Sequence, residues 1–133
     1  MRRDLLSKLT VSASVAVLAG MTVVSAAQAA TELTVYTAVE AEDLKKYAKA
    51  FNKTNPDIKI KWVRDSTGVV TAKLLAEKKN PVADVVWGLA ATSLMLLKEE
   101  GMTEGYAPKG VGSLDKKFVD SANPPHWTGM DAW

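Results

Sequence analysis

Small and hydroxyl-bearing residues recur at three places where a strand-like run gives way to a helical one. They are Thr37-Ala38 after Leu33-Thr34-Val35-Tyr36, Ser66-Thr67-Gly68 after the alternating segment 58–62, and Ala90-Ala91-Thr92-Ser93 after the run 82–87. The first amides of a helix have no partner inside it, and the positive end of the helix dipole lies beside them. A short, uncrowded corner of this kind can hold an anion: phosphate, phosphonate, sulfate or carboxylate would each suit it. Taken singly, Ser66-Thr67-Gly68 and Thr92-Ser93 are equally well explained as N-caps. Recurrence is what points to a site, because parallel strands would bring all three corners to one edge of a sheet.

Glu40 stands beside the first corner, where it serves either as a first-turn acid or as the acceptor of an ammonium group. Asp84 precedes a buried run and reads as a structural acceptor. Tyr36 and Trp87 close their strands, as core residues or as walls of a small ligand site. His126 follows Pro124-Pro125 and reads as a surface or turn residue.

Catalytic patterns are absent from the sequence: there is no G-x-S-x-G elbow, no Walker-type phosphate loop and no H-E-x-x-H helix. The lack of cysteine excludes a disulfide framework, a thiolate metal site and a cysteine nucleophile together, and a single histidine excludes a histidine-rich metal centre. No cofactor is expected. Glu99-Glu100 reads as solvent-facing charge at a helix end. The formal charge of +2 belongs wholly to the first 29 residues, which hold Arg2, Arg3, Lys8 and Asp4. The remainder is balanced, so it lacks the basic excess by which a nucleic-acid binder displaces counterions.

The elements that would position the three corners follow from periodicity. Leu44, Tyr47, Ala48 and Phe51 fall on one helical face, with Glu40, Glu42 and Asp43 ahead of Lys45, Lys46, Lys49 and Lys53 in the order a helix dipole favours. Asn52-Lys53-Thr54-Asn55-Pro56-Asp57 ends that helix. Ile58, Ile60 and Trp62 alternate with Lys59 and Lys61, which predicts a strand with one wet face near a sheet edge. A second helix is predicted from Val69, burying Val70, Leu74 and Leu75 and broken at Asn80-Pro81. The run 82–87 predicts a third strand; Val85-Val86-Trp87, apolar on both sides, fits a central position covered on two faces. A short helix with Leu94, Met95 and Leu97 then ends at Gly101 as its C-cap, and the sequence from Gly101 to Gly112 is loop-like. Strand and helix alternate throughout, the grammar of an open, mainly parallel α/β sheet.

The first 29 residues read as a signal peptide: basic residues, an apolar run over 9–24, and Ala27-Gln28-Ala29 at the cleavage position. A membrane anchor fits less well, since Thr10, Ser12, Ser14, Gly20 and Thr22 interrupt a run that is short for a bilayer. Arg2-Arg3 also permits twin-arginine export. Residues 30–133 are expected to form one small α/β lobe, and the apolar segment Trp127-Thr128-Gly129-Met130-Asp131-Ala132-Trp133 gives the chain the look of an incomplete one.

Leu33-Thr34-Val35-Tyr36-Thr37-Ala38, Pro81-Val82-Ala83-Asp84-Val85-Val86-Trp87 and the stretch from Leu97 to Gly101 together resemble the first lobe of periplasmic substrate-binding proteins of ABC importers, in the branch that contains ferric-iron and phosphonate binders. Within it, Tyr36-Thr37-Ala38-Val39-Glu40, Asp65-Ser66-Thr67-Gly68, Trp87-Gly88-Leu89-Ala90-Ala91-Thr92-Ser93 and Ala122-Asn123-Pro124-Pro125-His126-Trp127 are most similar to 2-aminoethylphosphonate-binding proteins. The resemblance implies a two-lobed clamshell, of which this chain supplies most of one lobe, that acts by reversible capture in the periplasm. Its ligand would be a small phosphonate. Thr37, Ser66, Thr67, Gly68, Ala91 and Thr92 would donate to the phosphonate oxygens, and Glu40 or Asp131 would pair with the amine. The expected partners are that ligand and an inner-membrane permease, with no nucleic acid, and the protein is expected to be a monomer. Ferric iron or another small anion, held by the same fold, is the alternative within the binding class; a fragment of a secreted enzyme is the alternative outside it.

Overall fold

The computed structural model describes residues 30–129. Three strands, β1 (Thr31–Thr37), β2 (Ile58–Arg64) and β3 (Val85–Trp87), alternate with three helices, α1 (Ala41–Asn52), α2 (Thr67–Ala76) and α3 (Ala91–Glu99). Two short 3-10 turns follow, Val111–Ser113 and Lys116–Phe118. The strands are parallel in the order β2-β1-β3, so β1 is central. This is the expected open parallel sheet flanked by helices.

Alternation along β1 sorts its side chains to two faces. Tyr36, with Val63 of β2 and Val86 of β3, packs on Val70 and Leu74 of α2 and Leu97 of α3, with Leu89 closing the cluster. Leu97 is wholly buried. On the other face Trp62 and Trp87 lie 5.8 Å apart, and Tyr47 of α1 meets Trp87 edge to face at 4.9 Å. Opposite faces for α1 and α2 follow from connectivity: β1 to β2 steps one way along the sheet, β2 to β3 steps back across β1, and both crossovers keep the right-handed sense.

The polar ties are local and reinforce this layering. The Tyr36 hydroxyl donates to Glu77 at 2.8 Å, and Lys73 lies 2.6 Å from the same carboxylate. Burial of the ring, followed by the Glu77 hydrogen bond, holds the Tyr36 phenol above its ordinary pKa. Asp120 is buried, pairs with Lys98 of α3 at 2.6 Å and accepts from the His126 amide at 2.9 Å. These bonds, that to Lys98 first, hold the Asp120 carboxyl below its ordinary range. They pin the segment around residues 119–128, which carries an antiparallel bridge between Val119 and Thr128, to the end of the helical layer.

Several expectations hold, and others are corrected. β2 lies at the edge with Lys59 and Lys61 exposed, and Gly101 follows α3 with φ +66°. Asp84 is the expected acceptor: its carboxylate takes the Thr34 amide at 2.7 Å while its own amide donates to the Thr34 carbonyl at 2.9 Å. That reciprocal clamp also explains why β3 is shorter than the run 82–87, since ladder pairing begins only after it, at Val85. The central position expected for β3 belongs to β1 instead. Among the described residues β3 pairs on one side only, and Val85 is 41% exposed. α2 starts at Thr67, two residues before the expected Val69, because Ser66 supplies its cap. His126 lies in a turn as expected, yet it is half-buried, with Nδ1 2.9 Å from the Thr103 carbonyl oxygen. The proposed signal segment and Asp131 lie outside the described residues.

Candidate functional site

Register decides where the three corners fall. Thr37 is level with Arg64 on one side and with Trp87 on the other, so the carboxyl ends of all three strands coincide. The turns 38–40, 65–66 and 88–90 therefore leave the sheet along one rim, and α1, α2 and α3 all start there.

The three helix starts are not equivalent. α1 begins with Glu42 and Asp43 in its first turn, which already complement its positive end. α2 and α3 have no acid in the first turn. Ser66 caps α2 only loosely, its hydroxyl accepting from the Val69 amide at 3.5 Å, and the first amides of this helix, on Thr67 and Gly68, have no intrahelical partner. A methyl at Gly68 would meet nothing within 4 Å, so the approach to this corner is open. At α3 the N-cap is Ala90, which makes no side-chain cap bond. The Ser93 and Leu94 amides turn back to the Ala90 carbonyl, which leaves the amides of Ala91 and Thr92 at the helix mouth. Ser66, Gly68, Ala91 and Thr92 are exposed and Thr67 is half-buried.

Thr37 differs from the rest. It is fully buried, and its hydroxyl oxygen accepts from the Val39 amide at 3.0 Å, so it shapes the first turn from beneath. Gly88 crosses directly over that turn with φ +68°, and a Cβ there would sit 2.1 Å from Val39 Cγ2. The first and third corners are thus packed against each other.

Arg64 is the residue at these corners that residue types and spacing did not single out. It is the last residue of β2 and borders the second turn, while the three turns themselves hold no basic residue. Its Nε donates to the Val39 carbonyl at 2.7 Å and its guanidinium pairs with Glu40. Glu40, foreseen as an ammonium acceptor, is thereby engaged by an internal cation while remaining exposed. Asp65 accepts from the Ser66 amide at 2.7 Å. The turns thus carry two carboxylates, with the Arg64 guanidinium at their border, alongside two open helix mouths. The signal in the sequence was the position: a basic residue where a strand ends is placed by the sheet at the rim, whatever else it does.

A groove of about 760 Å³ runs along the open side of β3, lined by residues such as Val85, Tyr106, His126 and Thr128 and reaching Trp87 at one end. Its lining is more apolar than polar, with Glu77, Lys78, Asp84, Glu104 and His126 among the residues on its wall.

With this geometry in place, likeness to known proteins becomes informative. Residues 19–127 match the family described as bacterial extracellular solute-binding protein. The chain belongs to that family. A probable ABC transporter periplasmic-binding protein, y4fP, from Sinorhizobium fredii is 37% identical over 67 residues, covering 50% of this chain and 19% of that protein. Among solved structures, the periplasmic binding protein AfuA from Actinobacillus pleuropneumoniae, with exogenous fructose-6-phosphate bound, superposes with a TM-score of 0.63 at 29% identity, over 72% of this chain and 30% of that one. Iron-bound HitA from Pseudomonas aeruginosa shares the fold, with a TM-score of 0.60 at 22% identity, over 68% of this chain and 29% of that one. The chain spans less than a third of the length of each of these solute-binding relatives.

Proposed function

We propose that this chain is the first lobe of a periplasmic solute-binding component of an ABC importer, and that its ligand is a small phosphonate carrying an amine, of the 2-aminoethylphosphonate type. Residues 1–29 are its export signal and the inner-membrane permease its partner. The observation that carries the reading is the shared level of Thr37, Arg64 and Trp87, which brings three helix starts to one rim. Ser66, Thr67, Gly68, Ala91 and Thr92 donate to the phosphonate oxygens, each charge-assisted bond contributing about 1.5–3 kcal/mol. Thr37 shapes the floor beneath them. Glu40, or Asp131 beyond the described residues, takes the amine. The role is capture and release without chemical turnover.

The charges on the rim favour a zwitterion over a plain anion. Two open helix mouths attract negative charge, yet Glu40 and Asp65 in the turns outnumber Arg64 beside them. A ligand with an ammonium group satisfies both signs, whereas a sugar phosphate leaves the carboxylates facing its own negative charge. Ferric iron calls for a cluster of hard oxygen ligands, and among the described residues no group of three or more His, Cys, Asp or Glu is gathered to hold a metal.

Calorimetric titration of the complete protein, as its gene encodes it, separates these ligands. The expected result is a dissociation constant for 2-aminoethylphosphonate at least about tenfold below those for fructose 6-phosphate, inorganic phosphate and ferric citrate, a gap of about 1.4 kcal/mol. Heat from ferric citrate alone, or tighter binding of the sugar phosphate, would overturn the assignment.

A further inference from the structure

The ion pair between Arg64 and Glu40 has no obvious structural task. Both side chains are well exposed, 37% and 77% respectively, and exposed pairs contribute little to stability. The guanidinium is nevertheless aimed. Its Nε is fixed on the Val39 carbonyl at 2.7 Å, and Val39 is itself held through the Thr37 hydroxyl at 3.0 Å and pressed by Gly88. A flexible side chain tethered through one nitrogen presents its remaining donors in a set direction, and a guanidinium matches the oxygens of a carboxylate or a phosphonate in the same forked geometry. Glu40 therefore occupies the position an anionic ligand would take.

We propose that Arg64 is the anion-receiving side chain of this rim and that Glu40 is its resident counterion, exchanged for the ligand's phosphonate on binding. Resting on the functional reading above, the exchange deepens it in one respect. Glu40 is held by Arg64 in the free protein and becomes available to the ligand's ammonium group only when the phosphonate has replaced it. An anion without an amine would have to displace Glu40 and leave it uncompensated. The pair thus selects for ligands carrying both charges, where an unopposed arginine would accept any anion.

The test uses the complete protein and two ligands differing only in the amine, 2-aminoethylphosphonate and ethylphosphonate, titrated by calorimetry. Arg64→Gln is expected to weaken both by tenfold or more, and Arg64→Lys, which keeps the charge but loses the fork, to weaken both by less. Glu40→Gln is expected to weaken 2-aminoethylphosphonate several-fold and tighten ethylphosphonate, so that the preference between them collapses. A merely structural role for the pair would move both ligands together, so equal weakening of both by Glu40→Gln overturns the exchange, as does wild-type binding in Arg64→Gln. Thermal melts of each variant identify one that has lost its fold, and Arg64→Lys then carries the arginine arm. Wild-type protein that binds neither phosphonate refutes the functional reading itself, and the exchange with it; wild-type protein that binds while the variants behave as wild type refutes the exchange alone.

Discussion

Gly88→Ala is expected to destabilise the lobe by about 2–5 kcal/mol and to weaken ligand binding with it. Two costs combine. At φ +68° the backbone is in the left-handed region, where any side chain costs roughly 1–2 kcal/mol. The new methyl would also lie 2.1 Å from Val39 Cγ2, far inside van der Waals contact, and overpacking of that kind costs about 1–3 kcal/mol. Val39 cannot simply yield, because its amide is bonded to Thr37 and its carbonyl to Arg64. Relief of the clash must therefore shift the first corner relative to the third. Denaturant unfolding measures the loss, and the double variant Val39→Ala/Gly88→Ala should recover the steric part while the backbone part remains. A Gly88→Ala protein as stable as wild type would show that the two corners are not in contact.

Leu97→Ala is expected to cost about 2–5 kcal/mol, the range for emptying a well-packed leucine site. Leu97 is completely buried among Tyr36, Val70, Leu74 and Leu89, where the residues of β1, α2 and the third corner converge. The functional consequence follows from its position two turns into α3. That contact fixes the helix whose first amides, on Ala91 and Thr92, form one of the two open mouths. Affinity should therefore fall along with stability, although the leucine is wholly buried in the core. Leu97→Met preserves the volume and should cost less than about 1.5 kcal/mol, with affinity retained. A wild-type unfolding midpoint in Leu97→Ala would place α3 outside the core.

The corners themselves could be read from residue types because helix starts demand small or hydroxyl residues, and periodicity located the strands that precede them. α1 shows how far such reading reaches. Leu44 is buried as its spacing requires, but Tyr47, on the same predicted face, is 49% exposed, since it leans over the rim of Trp87 and not into the core. Strand order was not legible. An apolar run such as Val85-Val86-Trp87 has the same appearance whether it is central or waits at an open edge, and only the pairing of β1 with both neighbours decides which. Arg64 was overlooked for a related reason. In one dimension it ends a strand with alternating lysines; in three it is carried level with Thr37, beside Val39 and Glu40, which stand 25 and 24 positions earlier in the chain. Its partners are set by sheet register, which local sequence does not encode.

Gathering helix mouths on one rim is the feature on which anion capture depends, and amide chemical shifts report on it directly. In the isotope-labelled complete protein, addition of 2-aminoethylphosphonate should shift the backbone amides of Thr67, Gly68, Ala91 and Thr92 together, with little change at Val85, Tyr106 and Thr128 along the open side of β3. Shifts confined to that groove, with the four rim amides unmoved, would contradict the rim as the place where the anion is held.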